Sequence, residues 1–292
     1  MKRGLTILLI AALLAVSAFC FIACKDKVEI PDGVELAIMS FNVRQDTTFD
    51  VDEMDWEFRK EYLVNHIKDQ APAVLGMQEV QKNQYEYISE NLDGYETIWY
   101  SRAEDESQEG LAIAYNKDKF DLIEEDMFWL SETPNVESKG FRAPYLRICV
   151  HTVLKEIATG REISVYSVHL EVTYEYSRDK EVEMVIDKVK ADERPTIVCG
   201  DFNTTYDSDC FRRMSEVLTS AQDSALETDD GISYQNFGGG FVSFYEAIDF
   251  IFLSDDFFAV DFDIIQEHSE KDGKDVYYSD HYPVMSNIVF KS

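Results

Sequence analysis

Short apolar runs separated by polar and turn-forming stretches dominate the chain from residue 34 onward. Val34 to Phe41 reads as a strand that ends in the polar Asn42-Val43-Arg44. Trp56, Leu63 and Ile67 then recur at helical spacing until Ala71-Pro72, which cannot continue a helix. Ala73 to Met77 predicts a second strand, with Gln78-Glu79 just past its end. Further strand-like runs follow at Leu111–Tyr115, Leu146–Leu154, Ile163–Leu170, Thr196–Cys199, Ile248–Leu253 and Val284–Phe290. Val182, Val185, Ile186 and Val189 mark an amphipathic helix ahead of the Thr196 strand. Strands interleaved with two or three helices predict an α/β or α+β sandwich.

The first residues follow a different pattern. Lys2 and Arg3 precede an apolar run from Leu5 through Ala23, which reads as a targeting segment. Phe21-Ile22-Ala23-Cys24 is similar to a bacterial lipoprotein signal, with Phe21 where Leu is usual, and implies acylation of Cys24. An uncleaved transmembrane anchor and a plain secretory signal are the alternatives. The expected organisation is therefore a signal peptide over 1–24, a linker over 25–34 and one domain over 35–292. At 292 residues the chain is long enough for one full core, and no repeat or Gly/Ser-rich linker divides it. An extracytoplasmic, membrane-anchored monomer is expected, at the outer membrane, in the periplasm or on the surface.

Composition changes this picture in two ways. Outside the leader only Cys149, Cys199 and Cys210 remain, an odd number without metal-site spacing, so no disulfide framework is expected. Against 27 Lys and Arg stand 57 Asp and Glu, a formal net charge of −30. Such a surface repels polyanions at long range and argues against tight duplex nucleic-acid binding.

Asn42, Glu79, His169, Asp201, Asn203, Asp249, Asp280 and His281 each stand at or just beyond an apolar strand-like run. An open sheet presents side chains to a crevice from such positions. Any one of them alone reads as an ordinary turn or capping residue, and only their joint occurrence carries information. His66 and His268 read as surface residues, and His151 as a packing or solvent-facing one.

In order, Ser40-Phe41-Asn42-Val43-Arg44, Gln78-Glu79-Val80, His169-Leu170-Glu171, Gly200-Asp201-Phe202-Asn203, Ile248-Asp249-Phe250-Ile251 and Ser279-Asp280-His281-Tyr282-Pro283-Val284 resemble the endonuclease/exonuclease/phosphatase superfamily. That superfamily includes DNase I-like nucleases, abasic-site endonucleases, inositol-phosphate phosphatases, bacterial sphingomyelinases and deadenylase-like enzymes. Phe128 to Pro134 and Arg147-Ile148-Cys149 resemble a bacterial branch of it. Ser167, Glu171 and Ala247 depart from the common pattern, which often has Asn, Asp and a basic residue there. The resemblance implies a four-layer, DNase I-like sandwich of two packed mixed β-sheets flanked by helices.

It also implies a chemistry. Phosphoester cleavage needs a cation to neutralise developing charge, a positioned water and a proton donor for the leaving oxygen. The resemblance makes Glu79 the primary Mg²⁺ or Mn²⁺ ligand, with Asn42 and Asp280 completing or flanking that site. Asp201 would orient or deprotonate water, Asn203 and Arg44 would hold the substrate, and Asp249 would fix His281. His169 would face the leaving group, oriented by Glu109. The implied activity is metal-dependent hydrolysis of a small or lipid-linked phosphoester. A non-specific extracellular nuclease and a catalytically silent binding module on the same fold are the competing readings.

Overall fold

The computed structural model describes residues 28–239 and 244–292. The targeting segment and Cys24 lie outside those residues.

Side chains alternate faces along a strand, and β1 (Gly33–Asn42) shows what that period builds. Met39 and Phe41 pack with Trp56, Leu63, Val64 and Ile67 of helix α1 (Trp56–Gln70), while Leu36 and Ile38 face a larger core on the other side. Strand β2 (Val74–Val80) runs parallel to β1 and repeats the division, with Leu75 and Met77 beneath the helices and Val74 in the larger core. Helix α2 (Lys82–Asn91) adds Ile88 to the α1 side. Strands β3 (Tyr95–Ser101) and β4 (Gly110–Asn116) complete that edge. The first sheet is thus ordered from the C-terminal strand Val284–Lys291 through β1, β2 and β4 to β3, with short strands at its far edge. It is mixed, since β1 pairs parallel with β2 and antiparallel with Val284–Lys291.

The second sheet is ordered β5 (Phe120–Trp129), β6 (Ile148–Glu156), β7 (Glu162–His169), β8 (Thr196–Asp201), then strand Asp249–Leu253 and the two-residue strand Thr219–Ser220. Helix α3 (Glu175–Ala191) makes the β7–β8 crossover, as a parallel pair requires, and lies beside helix α4 (Asp209–Ser215). Val182, Val185, Ile186 and Val189 of α3 are buried, so its apolar stripe is spent on the sheet. Two mixed sheets packed face to face with helices outside each form the expected sandwich.

The two sheets meet closely at Gly76. A Cβ there would lie 2.6 Å from Cys199 Sγ and 3.2 Å from Ser167 Oγ, so the seam has room for a hydrogen atom only. Cys149, Cys199 and Cys210 are all free and buried, and Cys199 acts here as a small seam-filling hydrophobe. Two residues along β2, Gln78 Nε2 donates to Ser167 Oγ at 3.4 Å, and Ser40 Oγ donates to Gln78 Oε1 at 3.5 Å. Ser167 is therefore a buried tie between the sheets beneath the crevice.

Two expectations need correction. Gln78 and Glu79 do not follow the strand; β2 continues through Val80. Between Met77 and Val80 it carries one more residue than β4, a bulge in which Glu79 takes a left-handed φ of 61°. His66 is not at the surface. It is 3% exposed, stacked on Tyr278 at a ring-centroid distance of 4.6 Å, because the α1 stripe turns it inward beside Phe41.

Candidate active site

The strand ends converge on a polar cleft of about 380 Å³. From the first sheet come Arg44 and Glu79, from the second His169, Asp201 and Asn203, and from the segment before Val284 come Asp280 and His281. Arg44, Glu79 and Asn203 all have positive φ, between 51° and 61°. Each such residue costs on the order of 1–3 kcal/mol, and strained positions cluster where geometry serves function. At Glu79 the bulge turns the carboxylate to the floor of the cleft, where Oε1 accepts from Asn42 Nδ2 at 3.3 Å and Oε2 from Gln45 N at 3.1 Å. Asn42 Nδ2 also donates to Asp201 Oδ2 at 3.0 Å, so one amide bridges both sheets.

Asp280 lies 3.7 Å from Arg44 Nη1 and is raised above the usual carboxylate range, mainly by burial and further by the charge of Glu79. Arg44 itself is held by Asp50 through two hydrogen bonds of 2.9 and 3.0 Å. Two carboxylates that line one cleft and feel each other's charge fit a hard divalent cation, and Glu79, Asp280 and the Asn42 amide supply donors suited to Mg²⁺ or Mn²⁺. Among the described residues a second group, Asp201, Asp249 and His281, brings one ligand atom each within 4.8 Å of one another. There, however, Asp249 and His281 are already committed to each other, which leaves Glu79 and Asp280 the better-placed pair.

That commitment is short and buried: His281 Nδ1 and Asp249 Oδ2 are 2.8 Å apart. Ser233 Oγ accepts from the backbone N–H of Asp249 at 3.2 Å, which pins the strand end that carries it. Burial opposes the imidazolium of His281, yet Asp249, Asp201 and Asp280 raise it to about 10. Its Nε2 points at Asp201 Oδ2 from 3.8 Å, and His169 Nε2 approaches the same oxygen at 3.6 Å. Burial and the charge of Asp249 raise Asp201 to about 7. Asp201 Oδ1 accepts from Asn203 N at 2.8 Å, and Asn203 Nδ2 donates to Leu170 O at 2.9 Å. His169 is the opposite of His281: burial, then Arg147 and Arg102, hold it well below the ordinary histidine range. The cleft thus pairs a charged imidazole with a neutral one across a single carboxylate.

A profile of the Endonuclease/Exonuclease/phosphatase family matches residues 39–281. The chain belongs to this family. Family members are phosphoesterases and nucleases, and solved relatives share both fold and sequence with the chain. A family protein from Bacteroides thetaiotaomicron superposes with a TM-score of 0.83 at 27% identity, covering 89% of this chain and all of that one. A mannosyl-6-phosphatase from the same organism superposes with a TM-score of 0.80 at 28% identity, covering 87% of this chain and all of that one. Among sequence relatives, an uncharacterized protein of Acanthamoeba polyphaga mimivirus is 28% identical over 200 residues, 63% of this chain and 75% of that protein. A probable RNA exonuclease of Saccharomyces cerevisiae is 26% identical over 198 residues, which span 59% of this chain and 38% of the yeast protein.

Within this family frame, Glu109 departs from its expected place. It pairs with Arg102, not with His169, whose Nδ1 has no hydrogen-bond partner among the described residues. Burial raises Glu109 to about 7 despite Arg102, and a neighbouring guanidinium is the stronger attractor for a buried carboxylate than a neutral imidazole. Several contributors were not expected. Arg59 donates to the carbonyls of Met54, Val43, Tyr278 and Arg44 at 2.7–3.0 Å, tying the Arg44 loop to the Asp280 loop. Its position on the 56, 59, 63 and 67 stripe of α1 was the available signal of burial. Arg102, Tyr145, Arg147, Tyr234 and Phe244 also line the cleft; only Arg147 stands in a segment that the family resemblance marks, and the others have no motif.

Proposed function

We propose that this chain is a divalent-metal-dependent hydrolase of small phosphoesters, working outside the cytoplasm behind a lipid anchor. The observation that carries the chemistry is the convergence of His169 Nε2 and His281 Nε2 on one oxygen of Asp201, at 3.6 and 3.8 Å, beside the Glu79–Asp280 corner. The 28%-identical mannosyl-6-phosphatase and the small volume of the cleft favour a sugar phosphate or similar head group over a polymer. The proposed placement outside the cytoplasm rests on residues 2–24 of the sequence.

A cation held by Glu79, Asp280 and Asn42 would supply positive charge to the phosphate oxygens as charge develops on them. Asp201, poised near neutrality, accepts the proton of the attacking water, and Asn203 N–H keeps that carboxylate turned into the cleft. His281 stays an imidazolium because Asp249 holds it, and donates to the phosphate. His169 is neutral, so it can donate a hydrogen bond to the leaving oxygen, which would take its proton from solvent in the open cleft.

Purified protein should release phosphate from sugar phosphates with Mg²⁺ or Mn²⁺ and lose that activity in EDTA. Faster cleavage of oligonucleotides than of any sugar phosphate would favour the nuclease reading. Hydrolysis of neither would leave a silent binding module.

A further inference from the structure

Arg147 is 5% exposed and lines the cleft, yet among the described residues it donates no hydrogen bond. Its nearest acidic oxygen is Glu171 Oε2, 3.7 Å from Nε, beyond hydrogen-bond reach. A buried guanidinium with unused donors is costly unless something completes it. Other cations of the cleft are already engaged: Arg44 by Asp50, and Arg102 by Glu109 and by Gln108 Oε1 at 2.9 Å. Tyr145 stands over both neighbours, its ring centroid 5.7 Å from the Arg102 guanidinium carbon and 5.8 Å from that of Arg147. That ring is 46% exposed, so it forms one wall of an open subsite and does not seal it.

We infer that Arg147, backed by Arg102 and walled by Tyr145, is a subsite for a second negative charge on the substrate. This inference rests on the phosphoesterase reading and deepens it. A phosphodiester carries one charge, which the cation corner and His281 can meet. A terminal phosphate carries two near neutral pH, and a fork of unused N–H donors suits its oxygens. The same fork would accept a neighbouring anionic group on the leaving moiety. In either case this cleft discriminates between small phosphoesters by charge.

The test compares wild type with Arg147→Gln and Arg147→Lys, Mg²⁺-loaded, on p-nitrophenyl phosphate, bis(p-nitrophenyl) phosphate, glucose 6-phosphate and glucose 1,6-bisphosphate. With Gln, the kcat/KM ratio of monoester to diester should fall at least ~10-fold, chiefly through KM, the scale of one charge-assisted hydrogen bond. Lys keeps the charge beside Glu171 without the fork, so it should show a smaller fall and guards against a variant that does not fold. A fall confined to the bisphosphate-to-monophosphate ratio would place the second charge on the leaving moiety. If both ratios stay at their wild-type values in both variants, the subsite is overturned. Inorganic phosphate, titrated calorimetrically, should bind Arg147→Lys at least ~3-fold more weakly than wild type, and equal affinity would also overturn it. If the wild type hydrolyses none of the four esters, the phosphoesterase reading fails, while the phosphate titration still decides the subsite.

Discussion

The Asp249–His281 pair allows a sharp test because its two members should act as a unit. Asp249→Asn leaves the shape of the contact and removes the charge that holds His281 as an imidazolium. A charge-assisted buried hydrogen bond is worth about 1.5–3 kcal/mol, which at 1.36 kcal/mol per tenfold is a loss of roughly 10- to 150-fold in rate. Removing the imidazole in His281→Ala should cost ~10³, within the range of a positioned proton donor. If the residues acted independently, the double variant would lose ~10⁴ to ~10⁵; acting together, it should stay near ~10³. The assay is kcat/KM on p-nitrophenyl phosphate with saturating Mg²⁺. A pH profile supplies a second reading. His281 works as the charged form, so activity is present below its folded value near 10 and is lost as pH rises through it. Asp249→Asn should move that alkaline limb down toward the ordinary histidine value of about 6.5. Multiplicative losses, or an alkaline limb that stays in place, would refute the dyad.

Three further outcomes follow from particular residues. Glu79→Gln should raise the Mg²⁺ concentration for half-maximal activity at least ~10-fold while the fold is retained, since the amide oxygen can still accept from one of the two donors, Asn42 Nδ2 or Gln45 N, that now bond to separate carboxylate oxygens. Cys24→Ser should move the protein out of detergent-extracted membranes and abolish fatty-acid labelling; persistence in the membrane would favour a transmembrane leader. Burial raises Glu181 to about 8, and it is fully enclosed, its Oε2 accepting from Glu171 N at 2.7 Å. The native state therefore holds a proton that the unfolded chain releases above about pH 4.5, so stability falls as pH rises from there to about 8. Glu181→Gln removes that slope, and the variant should gain on wild type by up to about 4 kcal/mol between pH 5 and 8.5 in denaturant melts. A stability difference that does not change with pH would show that Glu181 does not carry this proton.

Legibility followed the range of the forces involved. Strands with apolar interiors, β1, β2, β4 and β6 to β8, declare themselves because most of their residues are buried and apolar side chains recur along each of them. Strand β5 was not expected, since Glu124, Glu125 and Asp126 are exposed along it; it is a sheet edge, where charge blocks pairing with another chain. Helix α2 has no apolar stripe to betray it, since it buries only Gln84 and Ile88. The motif residues could be read because each stands at a strand end, but their supports could not. Arg59 reaches Tyr278 across 219 positions, and Glu109 chose Arg102 from a loop already crowded with Glu104 and Glu106. Such choices depend on distances that only the folded chain defines.

The net charge of −30 and the guanidiniums of the cleft work at different ranges, and under the proposed function together they would shape the choice of substrate. At physiological ionic strength a charge is felt over about 8 Å, so the acidic surface acts on any polymer long enough to lie across it. A nucleic acid meets that repulsion along its length, whereas a sugar phosphate small enough for the cleft presents its charge only inside. There Arg44, Arg102 and Arg147 line the wall and His281 is cationic, in a buried setting where opposite charges attract more strongly than in water. On the proposed function, exclusion would be long-ranged and nonspecific, while acceptance would be short-ranged and geometric. Under the proposed function, such a protein would not need to recognise nucleic acid in order to reject it, and discrimination among small phosphoesters would fall to cleft residues such as Arg102, Tyr145 and Arg147.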